Sequence, residues 1–127
     1  MNLDTAEYGS LATLKRDGSW VATPVWFAPA NGLYYVFSDP NAGKVKRLRN
    51  FRQIRLAPCT VSGKPLGDAM EGEGWLIDSK DDIELAYRAL LAKYGWKLRI
   101  TDIASKLTGK YHKRQLIALR VPASATR

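Results

Sequence analysis

Between Pro40 and Gly67 the chain carries seven basic residues and no acid: Lys44, Lys46, Arg47, Arg49, Arg52, Arg55 and Lys64. The net charge of the whole chain is +8, so the basicity is local. Four of the seven fall in Gly43-Lys-Val-Lys-Arg-Leu-Arg-Asn50, a short helical pattern with Val45 and Leu48 as its apolar side. Lys44 lies in the first turn, where the helix dipole disfavours a cation by about 0.3–1 kcal/mol. An anion sharing that turn would reverse the sign. Lys44 and Arg47 are three apart and face the same way, as do Lys46, Arg49 and Asn50. A cationic cluster at a strand-to-helix junction suits the phosphates or carboxylates of a ligand. The competing reading is a solvated basic face, weighed down here by the missing acids and by Ser38 just upstream.

The other reactive side chains offer less. Cys59 is the sole cysteine, so an intrachain disulfide and a cysteine-based metal site are both excluded. It follows Pro58 and reads as a small buried hydrophobe, since a catalytic thiol would need a histidine partner. The one histidine, His112, sits among Lys110, Tyr111, Lys113 and Arg114 and reads as solvated. Glu71 and Glu73 share a strand face and read as partners of basic side chains. No general acid, base or nucleophile stands out, so an enzyme of this sequence would leave the reaction to a cofactor.

These residues need a scaffold. At 127 residues and 46% apolar composition, one domain over residues 1–127 is expected. Tyr8–Lys15 and Trp20–Phe27 read as strands joined by a hairpin at Asp17-Gly18, and a second turn at Asn31-Gly32 leads into Leu33–Ser38. In Trp20–Phe27, Val21, Thr23, Val25 and Phe27 share one face, and Ala22, Pro24 and Trp26 the other. Pro24 marks an edge or a bulge. Asp39 or Asn41 is expected to cap the basic helix from Pro40. Gln53–Thr60 and Asp68–Ile77 supply two more strands, Gly72 and Gly74 in the latter allowing a close approach. A helix capped by Ser79 and closed by Gly95 follows, then a second helical pattern through Trp96, Ile100, Ile103 and Leu107, and a last strand, Leu116–Val121. Successive meanders favour an antiparallel sheet curled into a small barrel, with two to three helices. No signal-peptide pattern and no span of roughly 18 apolar residues is found, so a soluble cytoplasmic protein is expected.

Several segments resemble one family. Thr23-Pro-Val-Trp-Phe, Gly32-Leu-Tyr-Tyr-Val, Gly43-Lys-Val-Lys-Arg-Leu-Arg-Asn, and Arg55-Leu-Ala-Pro-Cys with Gly63-Lys-Pro-Leu-Gly are similar, in order and spacing, to the pyridoxamine 5'-phosphate oxidase-like split β-barrel flavoproteins. The nearest likeness is to the deazaflavin branch, which uses coenzyme F-420; FMN is the alternative cofactor. The resemblance covers about Tyr8 to Val121. It implies a mainly β, six-stranded antiparallel split barrel and a homodimer with cofactors at the subunit interface. It also implies that Thr23, Pro24, Val25 and Trp26 run along the tricyclic ring, and that Lys44, Arg47 and Asn50 lie near the phosphate or anionic tail. Ser38, Pro58 and Cys59 are implied as further neighbours, and Trp75 as a contribution from the partner chain. The chain ends soon after its last strand, without the C-terminal segment of the true oxidases, so oxidation of vitamin B6 is not expected. The deazaflavin, with its phosphodiester and glutamate carboxylates, makes better use of seven cations than FMN does.

Two other classes compete: a flavin-binding carrier without turnover, and a nucleic-acid-binding barrel. Phe51 is the only aromatic between Lys44 and Lys64, which counts against base stacking.

Overall fold

A computed structural model describes residue 3, residues 5–95 and residues 115–122. The second helical pattern, Trp96 to Leu107, and His112 lie outside the described residues.

Seven strands and two helices run in the order β1 (Tyr8–Leu14), β2 (Trp20–Val25), β3 (Phe27–Ala30), β4 (Leu33–Ser38), α1 (Gly43–Asn50), β5 (Gln53–Cys59), β6 (Met70–Ile77), α2 (Lys80–Tyr94), β7 (Gln115–Arg120). They form one sheet in the order β2-β1-β5-β6-β7-β4-β3, antiparallel at every pairing. Seven strands, where six were expected, follow from a break in Trp20–Phe27. Its two halves, β2 and β3, stand at opposite edges of the sheet with only Trp26 between them. Edges joined by a single residue must meet, so the sheet curls round on itself.

The alternation runs straight through that break. Val25 and Phe27 both turn inward, into the core with Leu11, Val36, Ile54, Leu56, Ile117 and Leu119. Trp26 turns outward, to the cluster formed under α2 by Ala28, Tyr35, Ala86, Leu90 and Leu116. The corner is tied from far along the chain. The Phe27 N–H donates to the Tyr94 hydroxyl at 2.8 Å, and the Phe27 carbonyl accepts from Lys93 Nζ at 2.7 Å. Tyr94 in turn donates to the Glu7 carbonyl at 2.6 Å.

The turns form as the residue types require. Asn31 and Gly32 both take positive φ, +50° and +79°, as a two-residue hairpin of this hand demands. Ser79 accepts from the Asp82 amide at 3.2 Å, and Gly95 ends α2 with its amide on the Leu91 carbonyl. The start of α1 differs from expectation. Its N-cap is Ala42, without a side-chain cap bond. The Asp39 carboxylate is turned to the Asn41 amide at 2.8 Å, and the Asp39 carbonyl takes the Ala42 amide at 3.0 Å. The helix therefore begins at Gly43, after that turn, and not at Pro40. Its apolar side enters through Gly74: a Cβ there would lie 3.4 Å from Leu48, 2.9 Å from Leu119 and 3.1 Å from Ile54. Gly72 likewise meets the Arg120 backbone. Both close approaches are made by the chain itself.

Candidate functional site

β1 is the central support of the site. Its inward residues include Leu11 and Thr13, both fully buried, with Thr13 paired to Val21 of β2 and to Ile54 of β5. Arg47 reaches down from α1 and donates through Nε to Thr13 Oγ1 at 2.6 Å. The rest of its guanidinium folds over the first residue of the helix, where a Cβ on Gly43 would lie 2.7 Å from Nη1. Lys44 is half-buried beside it. Burial first, and then the charge of Arg47, pushes the Lys44 amine below the usual lysine range, with Asp39 opposing in part. Among the described residues neither cation forms an ion pair with a carboxylate. Two cations without an ion-pair partner among the described residues therefore share the uncapped start of a helix with no acid in its first turn. That arrangement is chemically suited to a phosphate.

Thr23 lies close by. It pairs with Leu11 on the inward face of β2, a diagonal step of roughly 7–8 Å from Thr13. Its hydroxyl oxygen is buried with no hydrogen-bond partner among the described residues. An orphaned hydroxyl costs about 1–3 kcal/mol, so a ligand that reached it would be favoured. Pro24 stands on the edge strand β2, opposite Ser10, and the turn after β5 comes over it: a Cβ on Gly63 would lie 3.7 Å from the Pro24 ring. Val25 is buried in the inner core.

Other expected site residues lie apart from this group. The Trp26 ring stacks on Tyr94, centroids 4.6 Å apart at 12°, and takes the Phe37 edge at 5.9 Å. Pro58 and Cys59 are buried at the end of β5, under the turn whose Leu66 amide donates to the Pro58 carbonyl at 2.8 Å. Burial pushes the Cys59 thiol up, so it should stay unreactive in the folded protein. An aromatic disulfide reagent is expected to label it only after denaturant is added; rapid labelling of the native protein would contradict its burial. Ser38, buried at the end of β4, donates to the Asp39 carbonyl at 3.2 Å. Asn50 is exposed at the far end of α1, roughly 9 Å along the axis from Lys44.

The seven cations are dispersed among several settings. Arg55 pairs with Glu71 at 3.3 Å and lies 4.3 Å over the Trp20 ring. Arg52, with Arg120 of β7, flanks Trp75 at 5.8 and 5.1 Å from the ring centroid. Lys46, Arg49 and Lys64 are exposed. Sequence reasoning missed Thr13; its one signal was a polar residue at an inward position of β1.

No protein-family model matches the chain, and no curated protein sequence matches it. Solved structures do. A candidate pyridoxamine 5'-phosphate oxidase from Listeria innocua superposes with a TM-score of 0.60 at 15% identity, over 94% of this chain and 86% of that one. This chain shares that protein's fold. A coenzyme F-420 reductase matches at 0.60 and 18% identity, over 95% of this chain and 90% of that one. The heme storage protein of Vibrio cholerae matches at 0.64 and 14% identity, over 93% and 83%. These names span different ligands on one fold, so the ligand must be argued from side chains.

Among the described residues no group of histidine, cysteine and carboxylate side chains could hold a metal. No helix among them is long and apolar enough to cross a membrane.

Proposed function

We propose that the protein is an oxidoreductase that binds coenzyme F-420 and passes a hydride between it and a small electron-poor organic substrate. The observation that carries this reading is the Lys44–Arg47 pair, two cations without an ion-pair partner among the described residues at an uncapped helix start. When bound, the deazaflavin would supply hydride chemistry at its C5 carbon. Lys44 and Arg47 would hold the phosphate. The strand Thr23–Val25 would orient the ring, Thr23 offering it the orphaned hydroxyl. The exposed Lys46 and Arg49 would draw the tail carboxylates by long-range attraction. No side chain of this group is placed to act as acid or base, so the protein's work is binding, orientation and exclusion of water.

FMN is the second reading, and one observation favours it. Arg52 and Arg55 are engaged with Trp75, Trp20 and Glu71, which leaves two cations at the helix start, enough for a single phosphate.

The protein is further proposed to act as a homodimer. The outward face of β1, β2 and β5, away from α2, presents Trp20, Ala22 and Pro24, with Val61 66% and Leu66 39% exposed in the neighbouring turn. Light scattering at micromolar concentration should give twice the monomer mass.

The apoprotein should be titrated with F-420, FMN and hemin, and the bound cofactor then reduced and offered electron-poor alkenes. F-420 binding with reoxidation by an alkene is the expected result. Binding without turnover would make it a carrier, and preference for hemin would remove the flavin reading. Cofactor affinity should fall as pH rises through the depressed Lys44 value, because the amine loses the charge that binds the anion. Lys44→Arg should flatten that alkaline fall over the same range.

A further inference from the structure

We propose that Thr13 and Gly43 are positioning residues for anion recognition: together they aim the Arg47 guanidinium without neutralising it. The inference rests on the reading of the Lys44–Arg47 site as a phosphate site.

A carboxylate partner would fix an arginine firmly, through the strong paired geometry of fork on fork. Such a partner would leave Arg47 with little net charge to offer a ligand. Here the partner is a neutral hydroxyl. Thr13 Oγ1 accepts from Nε at 2.6 Å, and Thr13 itself is fully buried on β1, a strand paired on both sides. One N–H of the guanidinium is thereby engaged, and its two terminal nitrogens keep their donors. Gly43 supplies the second constraint. The space its missing side chain leaves is filled by Nη1, 2.7 Å from where a Cβ would stand. The guanidinium is thus pinned by a hydroxyl beneath and seated over the first residue of α1, next to Lys44. A methyl group on Gly43 would push a flexible side-chain end aside, at small cost to folding and at large cost to aim.

The expected consequence is selective for phosphate. Thr13→Val keeps the shape of the buried side chain and removes the acceptor. Gly43→Ala displaces the guanidinium from the other side. Each should lower affinity for FMN by about tenfold, the order of one hydrogen bond to a charged group. Each should leave riboflavin, which lacks the phosphate, within about twofold of wild type on the same measure. Thr13→Ser should restore FMN affinity, because it returns the hydroxyl.

The test is equilibrium fluorescence titration of apoprotein variants with FMN and with riboflavin, with Arg47→Ala as reference. F-420 against its tail-free deazaflavin repeats the comparison. A loss confined to the phosphate-bearing ligand in Thr13→Val and Gly43→Ala, with rescue by Thr13→Ser, supports the inference. Equal losses for both ligands would show a merely structural role and overturn it. Arg47→Ala losing the phosphate preference while Thr13→Val keeps it would overturn the tether alone. An Arg47→Ala variant with an unchanged preference would overturn the phosphate site itself, and this inference with it.

Discussion

The double variant Lys44→Ala/Arg47→Ala should bind its cofactor about a hundredfold to ten-thousandfold more weakly than wild type, from two charge-assisted hydrogen bonds of roughly 1.5–3 kcal/mol each. The lower end is expected, because Lys44 is only half-buried and water screens part of its charge. Stability should fall only modestly: the repulsion between the two cations is removed, but the fully buried Thr13 Oγ1 loses the Arg47 Nε–H that it accepts, at a cost of about 1–3 kcal/mol. The check is a titration beside a melting curve. Affinity within a factor of two of wild type would show that the phosphate binds elsewhere.

Tyr94→Phe should be the most destabilising conservative change in the part of the molecule that holds the ring-binding strand. The Tyr94 hydroxyl accepts the Phe27 N–H at 2.8 Å and donates to the Glu7 carbonyl at 2.6 Å. Phenylalanine keeps the stack on Trp26 but takes the acceptor from the buried Phe27 N–H and this donor from the Glu7 carbonyl. A cost of about 2–4 kcal/mol follows, a drop in melting temperature of roughly 10 °C for a domain of this size. Cofactor affinity should fall too, since the corner between β2 and β3 fixes the Thr23–Val25 strand. Burial raises the Tyr94 phenol well above its ordinary value of 10.0. The unfolded chain then loses this proton first. The stability it contributes is complete below about pH 10 and is lost progressively above it. Tyr94→Phe should remove that component of the alkaline decline. A melting temperature unchanged by the substitution would contradict the role of the hydroxyl.

The contrast between what was legible in the sequence and what was not follows from range. Asp17-Gly18, Asn31-Gly32, Ser79 and Gly95 act within two to four residues, and each punctuates the chain as its residue type requires. Pro24 pointed to an edge, and β2 is one. The break at Trp26 was hidden because inward and outward residues alternate across it without a fault. What divides β2 from β3 is a tyrosine and a lysine more than sixty residues away.

The cationic run misled for a related reason. Lys44 and Arg47 are brought together by one turn of helix. Arg55 instead belongs to the pairing of β5 with β6, which sets it beside Glu71, and Arg52 belongs to Trp75. Proximity along the chain overstated the cluster. The site was legible where a helix keeps neighbours together. It was not where a sheet hands them to other strands, and Thr13, thirty-four residues before Arg47, came into view only with the fold.

The most direct measurement is a crystal structure of the protein with F-420 bound, and with FMN for comparison. The phosphate is expected within hydrogen-bond distance of Lys44 Nζ and the terminal nitrogens of Arg47, over the start of α1, with the ring along Thr23–Val25. A phosphate seated instead between Arg52 and Arg120, with Arg47 still folded over an empty helix start, would contradict that placement.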